Sequence, residues 1–347
     1  MNPSVTQKER IISLDIIRGF ALLGILFINV GGFQVIVEGG PMPDYSGFNG
    51  VIDTLITIFI EKKFFSIFSF LFGIGFYIFA SRAESRGDRP RWRFARRLLA
   101  LLLIGVIHIF LFWGSILAPY AIIGFFLLPF YRAKVSTISK WLGSIVVIHI
   151  ISILLKLFAP KVGILSNVIA FLSNDAIVIF IMFLSGFLVA KIDWIRRIDE
   201  ISGQIKWLQI GTFPIFVGFS IWIWFASQGN NQDTQSILAL GVIPMTFFYL
   251  SSLFLMLENR RIVKFLQPIA RVGQMAFTNY VAQSFIGLAI ISLMGLEVVS
   301  PIHTVIITIL IYVIQIIFSV VWFKFYKMGP LEKVWRFMTY GRRTVLK

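Results

Sequence analysis

What limits this chain most is the length of its uncharged runs. Between Arg18 and Glu38 no side chain carries a charge, and a bilayer core needs about 20 apolar residues per helix. Ten segments of roughly that length can be marked, near 18–37, 64–81, 97–113, 116–131, 141–159, 176–191, 207–227, 236–257, 274–294 and 301–323. Composition agrees: of 347 residues 58% are hydrophobic and only 14% charged. The expected fold is therefore an all-α polytopic membrane bundle of about ten helices. It forms a single integral membrane domain over 1–347, with helices one to eight within 10–260 and helices nine and ten within 261–347. The first run is too long, and has too many similar runs after it, to be a cleaved signal.

Two places depart from a simple span. The fourth segment is short and holds Pro119 and Pro129, which remove backbone donors and predict a kinked or broken helix. The stretch VIDTLITIFIEKKF, after the first segment, is apolar but interrupted by Asp53 and the Glu61, Lys62, Lys63 cluster. It reads either as a helix at the outer interface or as an extension of helix two.

Net charge is +16, which in a soluble domain would suggest nucleic acid. Placement argues otherwise. With the N-terminus inside, only Lys62, Lys63, Lys156 and Lys161 of the 32 basic residues fall outside, as the positive-inside rule requires. The charge is then topological, both termini are cytoplasmic, membrane lipids are the partner and nucleic acid is none. With no Cys and three His, disulfides and thiolate metal sites are excluded and no metal site is expected.

Orientation gives depth, at about 1.5 Å per helical residue. Asn29 and His108 each lie eleven residues beyond an inner arginine, Arg18 and Arg97, hence about 16 Å deep. By the same rule Asn279 and Gln283 reach about 12 and 18 Å beyond Arg271, and His149 about 13 Å beyond Lys140. Polar side chains at that depth line an interior site or a wet cavity, or else serve as hydrogen-bonding glue between helices. For Asn29, Asn279 and Gln283 both readings stand, as they do for His108, which can equally sit satisfied on a neighbour. His149, in an otherwise apolar run, reads as structural, and His303 as a capping or interface residue at the outer mouth of helix ten.

At the inner interface Asp15 and Arg18 are spaced i, i+3 and share a helix face. They anchor the helix, or Arg18 meets a phosphate. The segment RPRWRFARR, with Arg93, Arg96 and Arg97, reads as a stop signal contacting lipid headgroups or as an anion site, since guanidinium pairs phosphate bidentately. Gly19, Gly24, Gly73 and Gly75 permit close helix approach. No Walker sequence, HExxH or nucleophile elbow is present, and no acid lies near the midplane.

RIISLDIIRGFALLGILFINV, KFFSIFSFLFGIGF, RRLLALLLIGVIHIFLFW, PIARVGQMAFTNYVAQSFIG and MGPLEKVWRFMTYGR together resemble the YeiB-like family of bacterial polytopic membrane proteins, a domain of unknown function, over about residues 10–342. The resemblance implies a multi-pass protein of the bacterial plasma (inner) membrane. The family is distantly similar to membrane acyltransferases of the acyltransferase-three and heparan glucosaminide N-acetyltransferase types. Where the former have ten residues between an Arg and a His, the ten residues that follow Arg18 lead to Asn29, and an amide is no general base. That leaves His108 as the expected catalytic base. Relatives continue the His108 motif with an acidic turn; this chain reads FWGSIL, with Ser115 where an Asp is expected. Asp15, Arg18, Gly19, His108, Tyr120, Thr278, Asn279, Tyr280 and Gln283 match the family.

Two functions follow. In the first, a cytosolic acyl-thioester such as acyl-CoA docks at Asp15, Arg18, Arg93, Arg96 and Arg97. Its acyl group passes, with His108 assisting, to a small or cell-envelope acceptor held by Asn29, Asn279, Tyr280 and Gln283; no cofactor is bound covalently. In the second the same polar belt is the binding site of a small-molecule transporter or exporter.

Overall fold

A computed structural model describes residues 7–33, 43–158, 165–198, 200–228 and 233–341, with side chains from Ile12 onward. No strand occurs among the described residues. Fifteen α-helices follow one another along them: α1 Gln7–Gly32, α2 Gly47–Phe59, α3 Lys63–Ser85, α4 Pro90–Ile109, α5 Leu117–Phe125, α6 Val135–Phe158, α7 Leu165–Leu172, α8 Asp175–Lys191, α9 Ser202–Gln228, α10 Thr234–Met256, α11 Arg260–Phe265, α12 Gln267–Gln274, α13 Ala276–Leu293, α14 Pro301–Phe325 and α15 Pro330–Tyr340. A 3-10 turn, Leu128–Arg132, sits between α5 and α6.

Seven of the described helical runs are long and apolar enough to cross a membrane, or eight if α7 and α8, bent by 42° at a short break, make one span. The difference from the ten expected falls on the third and fourth segments. In α4 the first two turns carry Arg91, Arg93, Arg96 and Arg97, which leaves too short an apolar remainder. The fourth is broken, as its two prolines predict: α5 has only nine residues, and Pro129 opens the 3-10 turn that follows. The VIDTLITIFIEKKF stretch becomes α2, separated from α3 by a tight break at which Lys62 takes a left-handed φ of 64°. Together α2 and α3 run 39 residues, Gly47–Ser85, about twice what a bilayer needs.

The chain divides into two compact units. The first is built mainly from Phe65–Ala95 and Ile122–Glu258. Its centre is the crossing of α3 and α8. A Cβ on Gly73 would strike the carbonyl of Phe183, and one on Gly186 the carbonyl of Phe70, so the two backbones touch as only small residues allow. Phenylalanines close around that contact: Phe72 stacks on Phe183 at 4.5 Å and Phe76 on Phe187 at 5.3 Å. Beside them α9 pairs with α10, through Phe216 and Phe248 at 4.8 Å and a hydrogen bond from Gln209 Nε2 to Ser252 Oγ.

The second unit comprises Ile11–Phe64, Arg96–Ala121 and Asn259–Lys347. It too has a close glycine crossing, between α1 and α12: Gly19 lies against the Ile269 carbonyl and Gly273 against the Asp15 carbonyl. Helix α14 ties into it, with Tyr312 Oη donating to the Gly19 carbonyl at 2.8 Å. At its opposite end α14 starts with a capping box formed by Ser300 and His303, and the Ile302 N–H reaches Asn49 of α2. Helices α12 and α14 thus pack with the N-terminal helix, and the start of α14 reaches α2.

Candidate functional site

The site is organised by a helix break. Helices α12 and α13 are interrupted at Met275, whose φ of −118° and ψ of 43° leave the helical region. A helix break strands carbonyls on one side and N–H groups on the other, and where these are buried they need partners within the protein. Asn279 mends one side, its Nδ2 donating to the Val272 carbonyl at 3.1 Å. Glu332 of α15 mends the other: its Oε1 accepts the N–H of Phe277 at 2.8 Å and of Thr278 at 3.2 Å, and its Oε2 the Thr278 hydroxyl. A carboxylate at a helix N-terminus is also favoured by the helix dipole.

From that break α13 presents two polar faces about 100° apart. Asn279 and Gln283 form the first and meet α14. Asn279 Nδ2 also reaches Ser319 Oγ at 3.0 Å, Gln283 Nε2 donates to Gln315 Oε1 at 3.1 Å, and Gln315 Nε2 donates to the Asn279 backbone carbonyl at 2.7 Å. Two acceptors, Asn279 Oδ1 and Gln283 Oε1, are buried without a partner among the described residues.

Tyr280 and Ser284 form the second face, which meets α4 and the turn after it. His108 is 4% exposed and both its ring nitrogens are engaged. Nδ1 lies 2.8 Å from Ser115 Oγ and Nε2 3.1 Å from Ser284 Oγ. The Tyr280 ring is 5.5 Å from the imidazole, and its hydroxyl accepts the Ile116 N–H at 3.0 Å. Asn29 and Ser115 lie beside the same hydroxyl. Phe112 lies edge-on to His108 and in turn to Phe33. The belt inferred from depth thus resolves into an amide pair on one side of α13 and an imidazole–hydroxyl–phenol cluster on the other. Asn29 joins the second.

At the level of the break sit the arginines, each already held. Arg18 Nη1 pairs with Asp15 at 2.6 Å and reaches the Gly273 carbonyl at 3.4 Å, so this pair pins α1 to α12. The Arg97 guanidinium stacks 3.6 Å above the Trp335 ring, and Trp335 Nε1 donates to the Arg97 carbonyl. Arg96 reaches the Met338 carbonyl. These contacts explain the MGPLEKVWRF motif: Glu332 caps α13 while Trp335, one turn on, receives α4.

Two residues singled out by sequence belong to the other unit. Arg93 pairs there with Asp88 at 3.0 Å. His149 is buried and its Nδ1 donates to the Leu172 carbonyl at 2.7 Å, at the break between α7 and α8. Sequence reasoning missed Ser284, Gln315, Ser319 and Glu332. The first three follow only from knowing which helix faces which. Glu332 had a signal: one acid within an otherwise basic C-terminal segment. No group of three His, Asp or Glu suited to a metal occurs among the described residues.

A family described as "Protein of unknown function (DUF418)" matches residues 189–342. An uncharacterized 39.9 kDa protein from the amylase 3' region of Bacillus acidopullulyticus is 33% identical, covering 99% of this chain and 97% of its own length. The uncharacterized protein YxaH of Bacillus subtilis is 31% identical over 98% of this chain and 96% of its own. The uncharacterized protein YeiB of Escherichia coli is 25% identical over 95% and 96%. No solved structure matches.

Proposed function

The chain belongs to the YeiB-like DUF418 family of bacterial multi-pass membrane proteins, and on that footing we propose that it transfers an acyl group from a thioester donor at the bacterial plasma membrane, with His108 as the base. One observation carries this reading. A buried imidazole has a hydroxyl on each ring nitrogen, 2.8 and 3.1 Å away, with a phenol beside it. A neutral imidazole so placed accepts a proton at one nitrogen while the other holds its tautomer, the arrangement general-base catalysis needs. The hydroxyls supply what an acid would supply at the position of Ser115: orientation of the ring, without its charge.

In this reading the donor, an acyl-CoA or similar thioester, approaches from the basic inner side. Its phosphates compete for guanidinium groups now held by Asp15, the Trp335 ring and the Met338 carbonyl. Asn29 and Tyr280 flank the acceptor. The test is thiol release from an acyl-thioester by the purified protein in nanodiscs, beside His108→Asn. A loss of about 100-fold or more, the usual weight of a general base, supports the reading; equal rates end it.

A second reading, transport of a small solute, is favoured by the amide face. Asn279 Oδ1 and Gln283 Oε1 offer two unpaired acceptors at mid-membrane depth, and a solute carrying N–H or O–H donors would satisfy them. Protein-dependent flux in proteoliposomes that falls in Gln283→Leu, with His108→Asn unaffected, would select this reading over acyl transfer.

A further inference from the structure

We propose that Ser115 is the nucleophile, carrying the acyl group as a serine ester between donor and acceptor; this rests on the acyl-transfer reading and goes beyond it by adding a covalent intermediate.

The argument starts from where Ser115 stands. Several buried helical serines donate to the carbonyl four residues back, as Ser152 does to Ile148, Ser185 to Ile181 and Ser251 to Phe247. That is the ordinary use of a helical hydroxyl. Ser115 lies in the turn between α4 and α5, with no helical carbonyl beneath it. Its hydroxyl faces His108 Nδ1 at 2.8 Å instead.

The approach is built in by Gly105. A Cβ there would sit 2.6 Å from the Ala118 nitrogen and 3.0 Å from both Ala118 Cα and the Leu117 carbonyl carbon. The first turn of α5 can therefore lie on the α4 backbone, three residues before His108, and the turn folds Ser115 back over the ring. The second ring nitrogen is fixed by Ser284. Nucleophile, base and orienting group are thus in series, the arrangement that activates a hydroxyl.

Donors for a developing oxyanion are adjacent. Ile116 supplies the N–H of the residue after Ser115, at the start of the nine-residue α5, and it points at the Tyr280 hydroxyl 3.0 Å away. A backbone N–H and a phenol beside the attacking oxygen are what a tetrahedral intermediate requires.

In the forward step Ser115 Oγ bonds to the thioester carbonyl carbon and its proton passes to His108 Nδ1. The carbon–sulfur bond breaks, and the thiolate leaves with that proton. In the second step an acceptor hydroxyl or amine attacks the ester, gives its proton to His108, and Ser115 Oγ recovers a proton as it departs. No oxidant or reductant is needed.

The test incubates the full-length protein in nanodiscs with acetyl-CoA and no acceptor, then measures intact mass and maps the peptide that gains one acetyl group. The expected result is an adduct on Ser115, absent in Ser115→Ala, present in Ser115→Cys as a thioester, and formed about 100-fold more slowly in His108→Asn. Size-exclusion profiles of the three variants control for folding, and Ser115→Cys keeps the test alive if the alanine variant does not fold. Turnover by Ser115→Ala at the wild-type rate, with His108→Asn inactive, would overturn the covalent step and leave acyl transfer standing. Absence of both thiol release and adduct in the wild-type protein would overturn the two together.

Discussion

Each unit contains a broken helix whose loose backbone groups are taken up by side chains, and the two differ in the polar surplus that remains. In the first unit α7 and α8 part at Ser173, and His149 takes the loose Leu172 carbonyl while Asn174 accepts the Ala176 N–H at 3.0 Å. In the second, Asn279 takes the Val272 carbonyl and Glu332 the N–H groups of Phe277 and Thr278. Further along α8 lies an aromatic core drawn together by Gly73 and Gly186. Around the break in the second unit lie His108, Ser115, Tyr280, Ser284, Gln283 and Gln315, more hydrogen-bonding groups than the repair requires. The polar contacts of the first unit serve helix repair, helix pairing as with Gln209 and Ser252, and ion pairs such as Arg93 with Asp88. In the second unit an imidazole and two hydroxyls are left beyond the repair, and that remainder is where chemistry is to be sought.

This contrast can be attacked at its largest effect first. Gly186→Val in the aromatic unit places side-chain atoms on the Phe70 carbonyl. Because backbone cannot yield as a side chain can, the cost should exceed the roughly 1–3 kcal/mol of ordinary overpacking. Loss of the monodisperse size-exclusion peak would show it, with Gly75→Ala, which meets nothing within 4 Å, unchanged as the control. Next comes Glu332→Ala, which strands two N–H groups and a hydroxyl at the α13 start. A destabilisation of about 2–4 kcal/mol is expected, readable as a fall in the thermal midpoint; a neutral result would mean that α13 does not depend on α15. Asn174→Ala removes a single neutral cap and should cost about 1 kcal/mol. Smallest of all should be Ser284→Ala: less than about 1 kcal/mol in stability, yet a clear loss of thiol release if the second unit's polar groups exceed structural need. Equal loss of stability and activity would reduce that cluster to glue.

Much of this was legible in the chain. Uncharged runs about 20 residues long give membrane helices whatever their neighbours are, and Pro119 and Pro129 marked the broken segment because a missing N–H is a local defect. His303 read as a capping or interface residue and forms a capping box with Ser300. Depth along single helices likewise put Asn29, His108, Asn279 and Gln283 in one layer. Depth has no azimuth, however, so it could not say that Asn279 and Gln283 look toward α14 while Tyr280 and Ser284 look toward His108. Nor could it tell that Asn279 is occupied in closing a break, since a glutamine or asparagine in an apolar run reads the same in either role.

The amino-acid order by itself settled the class: apolar length and the sparseness of charge force every backbone group into helices, because hydrocarbon offers no other partner. Three-dimensional packing alone decided which hydroxyl faces which nitrogen. Ser115 and Ser284 are 169 positions apart in a chain of 347 residues and come to one imidazole only because Gly105 admits α5 against α4 and α13 restarts after its break. Hydrogen bonds act over about 3 Å, a distance that sequence spacing across separate helices does not encode.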